Sequence, residues 1–205
     1  MLALYNSLPD METFISSEWE VRPCDLKLAQ KMVREYHYAK GGSNTAVYVF
    51  GLFKKGSDEL FGVSWWLPPT RVACESVCKV DWKRVLGLTR LVLLPGVPKN
   101  ACSFLISKSV KAITHDRRFG HLVTYADESQ GHLGTIYRAS NWTYVGRTGP
   151  YPRWVNSEGV QVACKSTVNR TKSKMEELGH IRTGSFYKHK FVLTLKKLPE
   201  RSDFA

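Results

Sequence analysis

The chain has 205 residues, of which 43% are hydrophobic and 23% are charged, and this balance excludes wholesale disorder. The formal net charge of +12 favours an anionic partner such as nucleic acid, a membrane surface or a phosphorylated ligand, with a merely solubilising charge as the alternative. No apolar run is long enough to span a bilayer, and five cysteines without a disulfide rhythm predict a reducing cytoplasm.

The first third of the chain predicts a strand, a helix and a hairpin. The run EWEVRP is typical of a strand, and Asp25 is placed to cap the helix that follows it. The apolar residues of that helix fall on one face: Leu26, Leu28, Met32 and Val33. After the loop AKGGSNT, two β-branched and aromatic runs flank the turn KKGSDE, which indicates a β-hairpin.

The middle of the chain predicts an α/β domain. LTRLVLL is apolar almost throughout, as expected for a strand buried on both faces, and helical spacing begins near Ser103. HLVTYAD predicts the next buried strand, HLGTIYRASN a short helix and WTYVGRT a further strand. This alternation favours a sheet whose middle strands are parallel.

The C-terminal segment is more basic than the rest. Residues 161–205 hold ten Lys and Arg against four acidic residues, so 10 − 4 = +6, which is half of the total excess. We therefore expect a catalytic domain over residues 1–159 and a basic α/β extension over residues 160–205. The extension is predicted to pack on the core and to contact DNA.

Two family resemblances follow from these motifs. The run IYRASNWTYVG resembles the acetyltransferases of the GNAT superfamily, although PGVPKNACS stands where their phosphate loop would lie. HYAKGG, LTRL, Asn100 with Ser103, and YAD followed by GHLGTIY resemble, in order, the Mom family of phage DNA-modification proteins. The Mom resemblance covers roughly residues 36–146. It implies a GNAT-like mixed sheet flanked by helices, and a phage protein at work in the host cytoplasm.

The Mom resemblance also implies an activity. Its expected product is an adenine in double-stranded DNA that carries a carbamoylmethyl group on its exocyclic nitrogen and resists host restriction enzymes. The target base would be flipped out of the duplex into the cleft.

The GNAT resemblance implies a site for an acyl-coenzyme A such as acetyl-CoA. A helix N-terminus offers unpaired N–H groups to a pyrophosphate, although a serine in that position is also a common helix cap. Backbone groups of the preceding strand would polarise the acyl carbonyl. The residues expected to bind the cofactor are Leu91, Val92, Leu93, Asn100, Ala101, Cys102, Ser103 and Phe104.

Four residues are expected to carry the chemistry: Arg90, Ser103, Asp127 and Tyr137. Arg90 lies inside an apolar strand, so it either pairs with Asp127 or Glu75 or faces the ligand cleft. Asp127 ends a buried strand, and it either caps the next turn or binds and deprotonates the acceptor amine. Tyr137 is either a half-buried tyrosine or the proton donor to a departing thiolate.

A further set of residues is expected to meet the base and the DNA backbone. His37 and Tyr38 would line the base pocket, with His132 in the loop beside it. The resemblance also implies iron, for which His37 is a candidate ligand, but no second histidine at a ligand spacing supports an assignment. The remaining aromatic and basic candidates are Trp65, Trp66, Arg147, Arg153, Lys172, Lys174, Lys188 and Lys190.

Two other functions fit the same sequence. One is an acyl-coenzyme A N-acyltransferase for another amine, such as an aminated pyrimidine or a polyamine. The other is a nucleic-acid-binding protein with an inactive core, which the missing phosphate loop favours and the presence of Asp127 and Tyr137 opposes.

Overall fold

The computed structural model describes residues 13–162 and 172–196. Its strands are β1 Trp19–Pro23, β2 Tyr48–Lys54, β3 Leu60–Leu67, β4 Val85–Leu93, β5 His121–Asp127, β6 Thr143–Arg147, β7 Tyr151–Val155, β8 Gln161–Val162, β9 Ile181–Phe186 and β10 Lys188–Thr194. The α-helices are α1 Leu26–Tyr36, α2 Arg71–Glu75, α3 Ala101–Asp116, α4 Thr135–Ala139 and α5 Lys172–Glu177. No described helix is both long and apolar enough to cross a membrane.

The main sheet has seven strands in the order β1-β2-β3-β4-β5-β10-β6. Only β4 and β5 run parallel, and every other neighbouring pair is antiparallel. The predicted mixed α/β sheet is therefore confirmed, as is the β2–β3 hairpin, but the parallel part is a single strand pair.

Helices cover both faces of this sheet. On one face, α1 begins after Asp25, whose carboxylate accepts from the N–H of Leu28, and it buries Ala29, Met32 and Val33. Leu28 was predicted on the buried face but is 41% exposed. On the other face, α3 and α4 pack over the largest apolar cluster, which includes Leu105, Ile106, Trp66 and Phe191.

The parallel pair β4–β5 separates halfway along its length. β4 and β5 are paired only from Val85 with His121 to Leu88 with Thr124. The β3–β4 register shifts there, where Trp65 faces Arg90 but Trp66 faces Leu88, so Thr89 is an extra residue in β4. A bulge bends its strand and ends local pairing. The rest of β4 and β5 therefore diverge and leave a cavity between them.

The C-terminal segment is part of the main sheet. β10 lies between β5 and β6 and pairs with β5 from Lys188 to Thr194, and Phe191 is fully buried. The predicted division into residues 1–159 and 160–205 is thus wrong, because the sheet needs a strand from the second segment. A second sheet, in the order β8-β7-β9, packs beside the first. Some of the tail's basic residues lie outside the described residues: Lys165, Arg170, Lys197 and Arg201.

Candidate active site

The cavity between the diverging strands has a volume of about 380 Å³. β4 contributes one wall, β5 contributes another, and the loop before α4 closes a third side together with α4 itself. The polar residues that line it include Arg90, His37, Tyr38, His132 and Tyr137. None of the described residues that line it is acidic.

Arg90 is half-buried in this cavity and has no carboxylate partner within the described chain. Its Nε donates to the carbonyl of Gly41 at 2.8 Å, and one terminal nitrogen donates to the carbonyl of Thr89 at 2.7 Å. Glu75 pairs instead with Arg71. Burial lowers the pKa of Arg90 from its ordinary value. The predicted structural pairing with Asp127 or Glu75 is therefore wrong, and the cavity carries an unbalanced positive charge.

His37 and Tyr38 lie where the sequence predicts them, against the cavity. Their rings stack at 4.3 Å, and the ring of His132 meets Tyr38 edge-on at 6.0 Å. The Nδ1 of His37 accepts from the backbone N–H of Ala39 at 3.0 Å, so its proton resides on Nε2. Burial, with the nearby charge of Arg90, lowers the pKa of His37 to about 4. At neutral pH His37 is an uncharged hydrogen-bond donor.

This arrangement does not fit a resident iron. A metal-bound histidine usually donates its second ring N–H to a partner, whereas Nδ1 of His37 is an acceptor. Within residues 13–162 and 172–196, no three His, Cys, Asp or Glu side chains are placed to hold one ion. No step of the reaction is therefore assigned to a metal.

Asp127 is buried beside the cavity, and hydrogen bonds occupy its carboxylate oxygens, so it is not available as a general base. Its Oδ1 accepts from the Tyr151 hydroxyl and from the hydroxyl and N–H of Ser129, at 2.7 and 3.0 Å from Ser129. Its Oδ2 accepts from Tyr38 at 3.4 Å and lies 3.7 Å from the ammonium of Lys188. Burial alone raises the pKa of Asp127, but these partners together hold it below its ordinary value. The predicted role in deprotonating the amine is therefore corrected: Asp127 positions Tyr38 and Tyr151.

Tyr137 lies in α4 and faces the cavity, as the sequence predicts. Its side chain is buried against Trp142 and Phe191 and makes a hydrogen bond with Thr124. Burial raises the pKa of Tyr137 to about 12. The phenol is therefore protonated at neutral pH and can donate its proton.

The first turn of α3 divides the predicted cofactor residues between two spaces. Cys102 lines the cavity, and Ala101 is buried in the core. Ser103 does not reach the cavity, because its hydroxyl donates to the carbonyl of Asn100 at 2.9 Å and its side chain lines a second groove. Its prediction as a catalytic residue is wrong for that reason.

The second groove lies between α3 and α4 and has a volume of about 400 Å³. Asn100 and Phe104 line it, and the hydroxyl of Ser140 at its edge is buried without a hydrogen-bond partner within the described chain. Of the β4 residues, Leu91 and Leu93 line the cavity, whereas the side chain of Val92 packs under α1.

The predicted DNA-contacting residues fall into two groups, those buried in the core and those nearer the surface. Trp65 and Trp66 are 1% and 0% exposed, so they belong to the core and cannot stack on a base, which corrects that prediction. Lys188 is engaged with Asp127, and Lys190 donates to the carbonyl and hydroxyl of Ser76 at 3.0 and 2.7 Å. Both lysines thus have partners within the fold, and their contact with DNA stays a prediction.

The other predicted basic contacts lie nearer the surface. The Arg147 guanidinium lies 4.2 Å from the Tyr187 ring centre, and Arg153 donates to the carbonyl of Ser129 at 3.3 Å. Lys172 and Lys174 are exposed on α5 and pair with Glu176 and Glu177. Their contact with DNA stays a prediction.

Two features of the site have no sequence prediction. Tyr151 reaches Asp127 from the second sheet, 24 positions along the chain, and no local pattern indicates that contact. Thr89 stands between Leu88 and Arg90, with neither glycine nor proline at the bulge itself, so the polar pair Thr89-Arg90 within an apolar strand is the available signal. Its hydroxyl donates to the carbonyl of Trp65 at 3.1 Å.

The fold is shared with solved acetyltransferases. The ribosomal-protein-S18-alanine N-acetyltransferase of Escherichia coli superposes with a TM-score of 0.52 at 9% identity, covering 89% of this chain and 97% of that one. The spermidine N-acetyltransferase of Vibrio cholerae, solved with CoA and spermine, gives 0.52 at 9% identity, with 88% and 98% covered. The ribosomal-protein-S5-alanine acetyltransferase of Vibrio fischeri gives 0.54 at 8% identity, with 92% and 100% covered. These likenesses show the GNAT fold.

The sequence comparisons show the family. The methylcarbamoylase mom of Escherichia phage Mu is 30% identical over 135 residues, which cover 64% of this chain and 55% of that protein. The chain thus spans about half the length of the curated relative it matches. The profile of the Mom protein family matches residues 18–202, a range that contains every wall of the cavity. This chain belongs to the Mom protein family.

Proposed function

We propose that this protein is a transferase that modifies a base in double-stranded DNA and that its target is the exocyclic N6 of adenine. The group added is a carbamoylmethyl group, and the modification protects phage DNA from host restriction. The name of the phage Mu relative supports this reaction. The observation that carries the proposal is that Arg90 and the protonated phenol of Tyr137 line the same cavity. None of the described residues that line this cavity is acidic, so the positive charge of Arg90 has no carboxylate partner there.

The charge of the cavity favours a neutral acceptor amine. A polyamine carries positive charge, and near the half-buried Arg90 it would be repelled without a carboxylate to offset the cost. The carboxylate of Asp127, which lies beside the cavity, is already shared with Lys188 and two tyrosines. The exocyclic amine of adenine is uncharged at neutral pH, so it fits the cavity where a polyamine does not.

The site fits an acyl-coenzyme A donor, whose thioester supplies an activated carbonyl when it is bound. The N–H groups of Cys102 and Ser103 belong to the first turn of α3, where no intrahelical acceptor exists, and they are suited to phosphate oxygens. The second groove continues from that turn and presents the unpartnered hydroxyl of Ser140. Beyond Leu88, β4 is no longer paired with β5, so its edge faces the cavity.

Different residues of the cavity assist different parts of the group transfer. With a thioester donor, the amine nitrogen bonds to the thioester carbonyl carbon and loses one proton to solvent at the cavity mouth, while the bond from that carbon to sulfur breaks. This step gives an N6-acyl adenine. A glycyl group has the same atoms as a carbamoylmethyl group, so an isomerisation that leaves the base nitrogen attached to the CH₂ carbon completes the proposed product. Tyr137 gives its phenolic proton to the leaving sulfur and recovers one from solvent. Arg90 and His37 donate hydrogen bonds to negative charge that develops on the reacting carbonyl.

Nucleoside analysis tests this function. DNA from cells that express the protein is digested to nucleosides and measured by mass spectrometry, and a carbamoylmethyl-2′-deoxyadenosine is expected. Tyr137→Phe removes the proton donor but keeps the ring that packs against Trp142 and Phe191, so it should lower the yield by about 10²–10⁴-fold while the melting temperature stays near that of the wild type. Tyr36→Phe, at an exposed tyrosine outside the cavity, is the matched control.

Two results would separate the parts of the proposal. N6-acetyladenine lacks one nitrogen and one hydrogen relative to the carbamoylmethyl product. If its mass were found instead, the protein would still be an adenine-modifying transferase, but the transferred group would be acetyl. Unmodified adenine, with a modified base of another kind or none, would contradict the proposed substrate.

A further inference from the structure

A leucine stands at the mouth of the cavity, where apolar side chains have little reason to be exposed. Leu133 lines the cavity and is 60% exposed. Gly131 and Gly134 flank it with φ angles of +71° and +77°, in the left-handed region that permits sharp turns. The chain therefore turns before and after Leu133 and presents its side chain at the tip.

The tip is held firmly by the residues beneath it. The N–H of Gly131 donates to the carbonyl of Glu128 at 2.9 Å, and the N–H of His132 donates to the carbonyl of Asp127 at 3.2 Å. At Gly134 a methyl group in the Cβ position would lie 2.2 Å from the Phe191 ring, so this glycine rests directly on the core. Leu133 is thus carried by a rigid loop, and among the described residues nothing covers most of its side chain, which is 60% exposed.

The chain around the tip suits a polyanion. From Ser129 to Ser157 there is no acidic residue, and the same stretch contains Arg138, Arg147 and Arg153. Arg153 donates to the carbonyl of Ser129 at the base of the loop. The guanidinium of Arg153 therefore lies at the base of the loop that carries Leu133, where it offers a phosphate contact.

We propose that Leu133 enters the DNA base stack and occupies the space left by the extruded base. This inference rests on the proposed function, because a base within a duplex must leave the stack to reach the cavity. Apolar side chains, leucine among them, fill such gaps in proteins that distort DNA. Leu133 offers this apolar group at the rim, beside the cavity that receives the base.

Fluorescence of 2-aminopurine tests the inference without any group donor. The probe replaces adenine in a duplex oligonucleotide and becomes brighter when it is unstacked. The wild-type protein should raise the signal. Leu133→Ala should need about a ten- to a hundredfold higher protein concentration to reach half of that rise, which corresponds to the free energy of burying a leucine side chain. Leu133→Met should restore most of it. Leu178→Ala removes a leucine that is 51% exposed next to α5 and should behave as the wild type.

A second duplex, with the probe opposite an abasic site, identifies the mechanism. The stack there is already weakened, so Leu133→Ala should regain the wild-type signal. If Leu133→Ala matches the wild type on the paired duplex, the inference is wrong and the proposed function stands. If Leu133→Ala fails equally on both duplexes, Leu133 is a general binding contact and the inference is again wrong. If the wild-type protein binds DNA but never brightens the probe, base extrusion itself fails, and with it the proposed function.

Discussion

Asp127 shows how a residue can be found from its position and still be given the wrong role. Its place at the end of a buried strand predicts a functional carboxylate, and the structure puts it beside the cavity. Every partner of its two oxygens is a donor: Tyr38, Tyr151, Ser129 and Lys188. Those partners lie up to 89 positions away, so the sequence does not indicate that they occupy its lone pairs.

Asp127→Asn should destabilise the protein. An asparagine presents an NH₂ group to partners that are all donors, and leaving one such buried pair unsatisfied costs about 1–3 kcal/mol. The folded-state pKa of Asp127 is depressed, so its contribution is present above the unfolded pKa of about 3.9 and is lost as pH falls through the folded value.

Urea denaturation of the two proteins at several pH values measures this effect. The difference in unfolding free energy between the wild type and Asp127→Asn should be largest near neutral pH and should become smaller below about pH 4. Asp58→Asn, at a side chain that is 98% exposed, is the control and should show almost no gap. A gap for Asp127→Asn that stays constant with pH would contradict the role of its charge.

At the scale of elements, the loop between β5 and α4 joins the cavity to the core. The sequence indicates the loop through its glycines, but it does not show that the space available for a side chain differs between them. At Gly131 a Cβ would meet nothing within 4 Å, whereas at Gly134 it would overlap the Phe191 ring of β10. The difference arises because β10 is brought beneath the loop by pairing with β5.

Alanine substitutions at the two glycines should therefore have unequal costs. Gly131→Ala should cost about 1–2 kcal/mol, the penalty of a left-handed conformation for a residue with a Cβ. Gly134→Ala should cost at least about 1 kcal/mol more, because the added methyl group must displace a packed ring. Urea denaturation of both variants measures the difference, and equal losses would show that Phe191 moves aside freely.

At the scale of the whole molecule, the C-terminal segment completes the sheet. Its basic composition suggested an appendage, yet β10 forms seven residue pairs with β5 and also carries β6. Composition reports the charge of a segment but not its place in a sheet, because a strand finds its partner through long-range pairing.

A chain that ends at residue 162 should fail to fold. It would lack β10 and the fully buried Phe191, and a phenylalanine deletion alone costs about 3–5 kcal/mol against a typical domain stability of about 5–15 kcal/mol. Circular dichroism should show no cooperative melt. A chain that ends at residue 196 keeps every described strand and should melt near the wild-type temperature. A cooperative, wild-type-like melt of the shorter chain would restore the two-domain interpretation.

The sequence by itself determined the elements and the candidates. Local periodicity, turn residues and caps predict α1, the β2–β3 hairpin, β4, α3 and β5. Arg90 is indicated by its place inside an apolar strand, Asp127 by its place at the end of β5, and Tyr137 by the family resemblance. Only the tertiary structure decided which candidates face the cavity and which are already paired. The reason is that propensity acts between neighbours in the chain, whereas charge balance, burial and strand order depend on groups that only folding brings together.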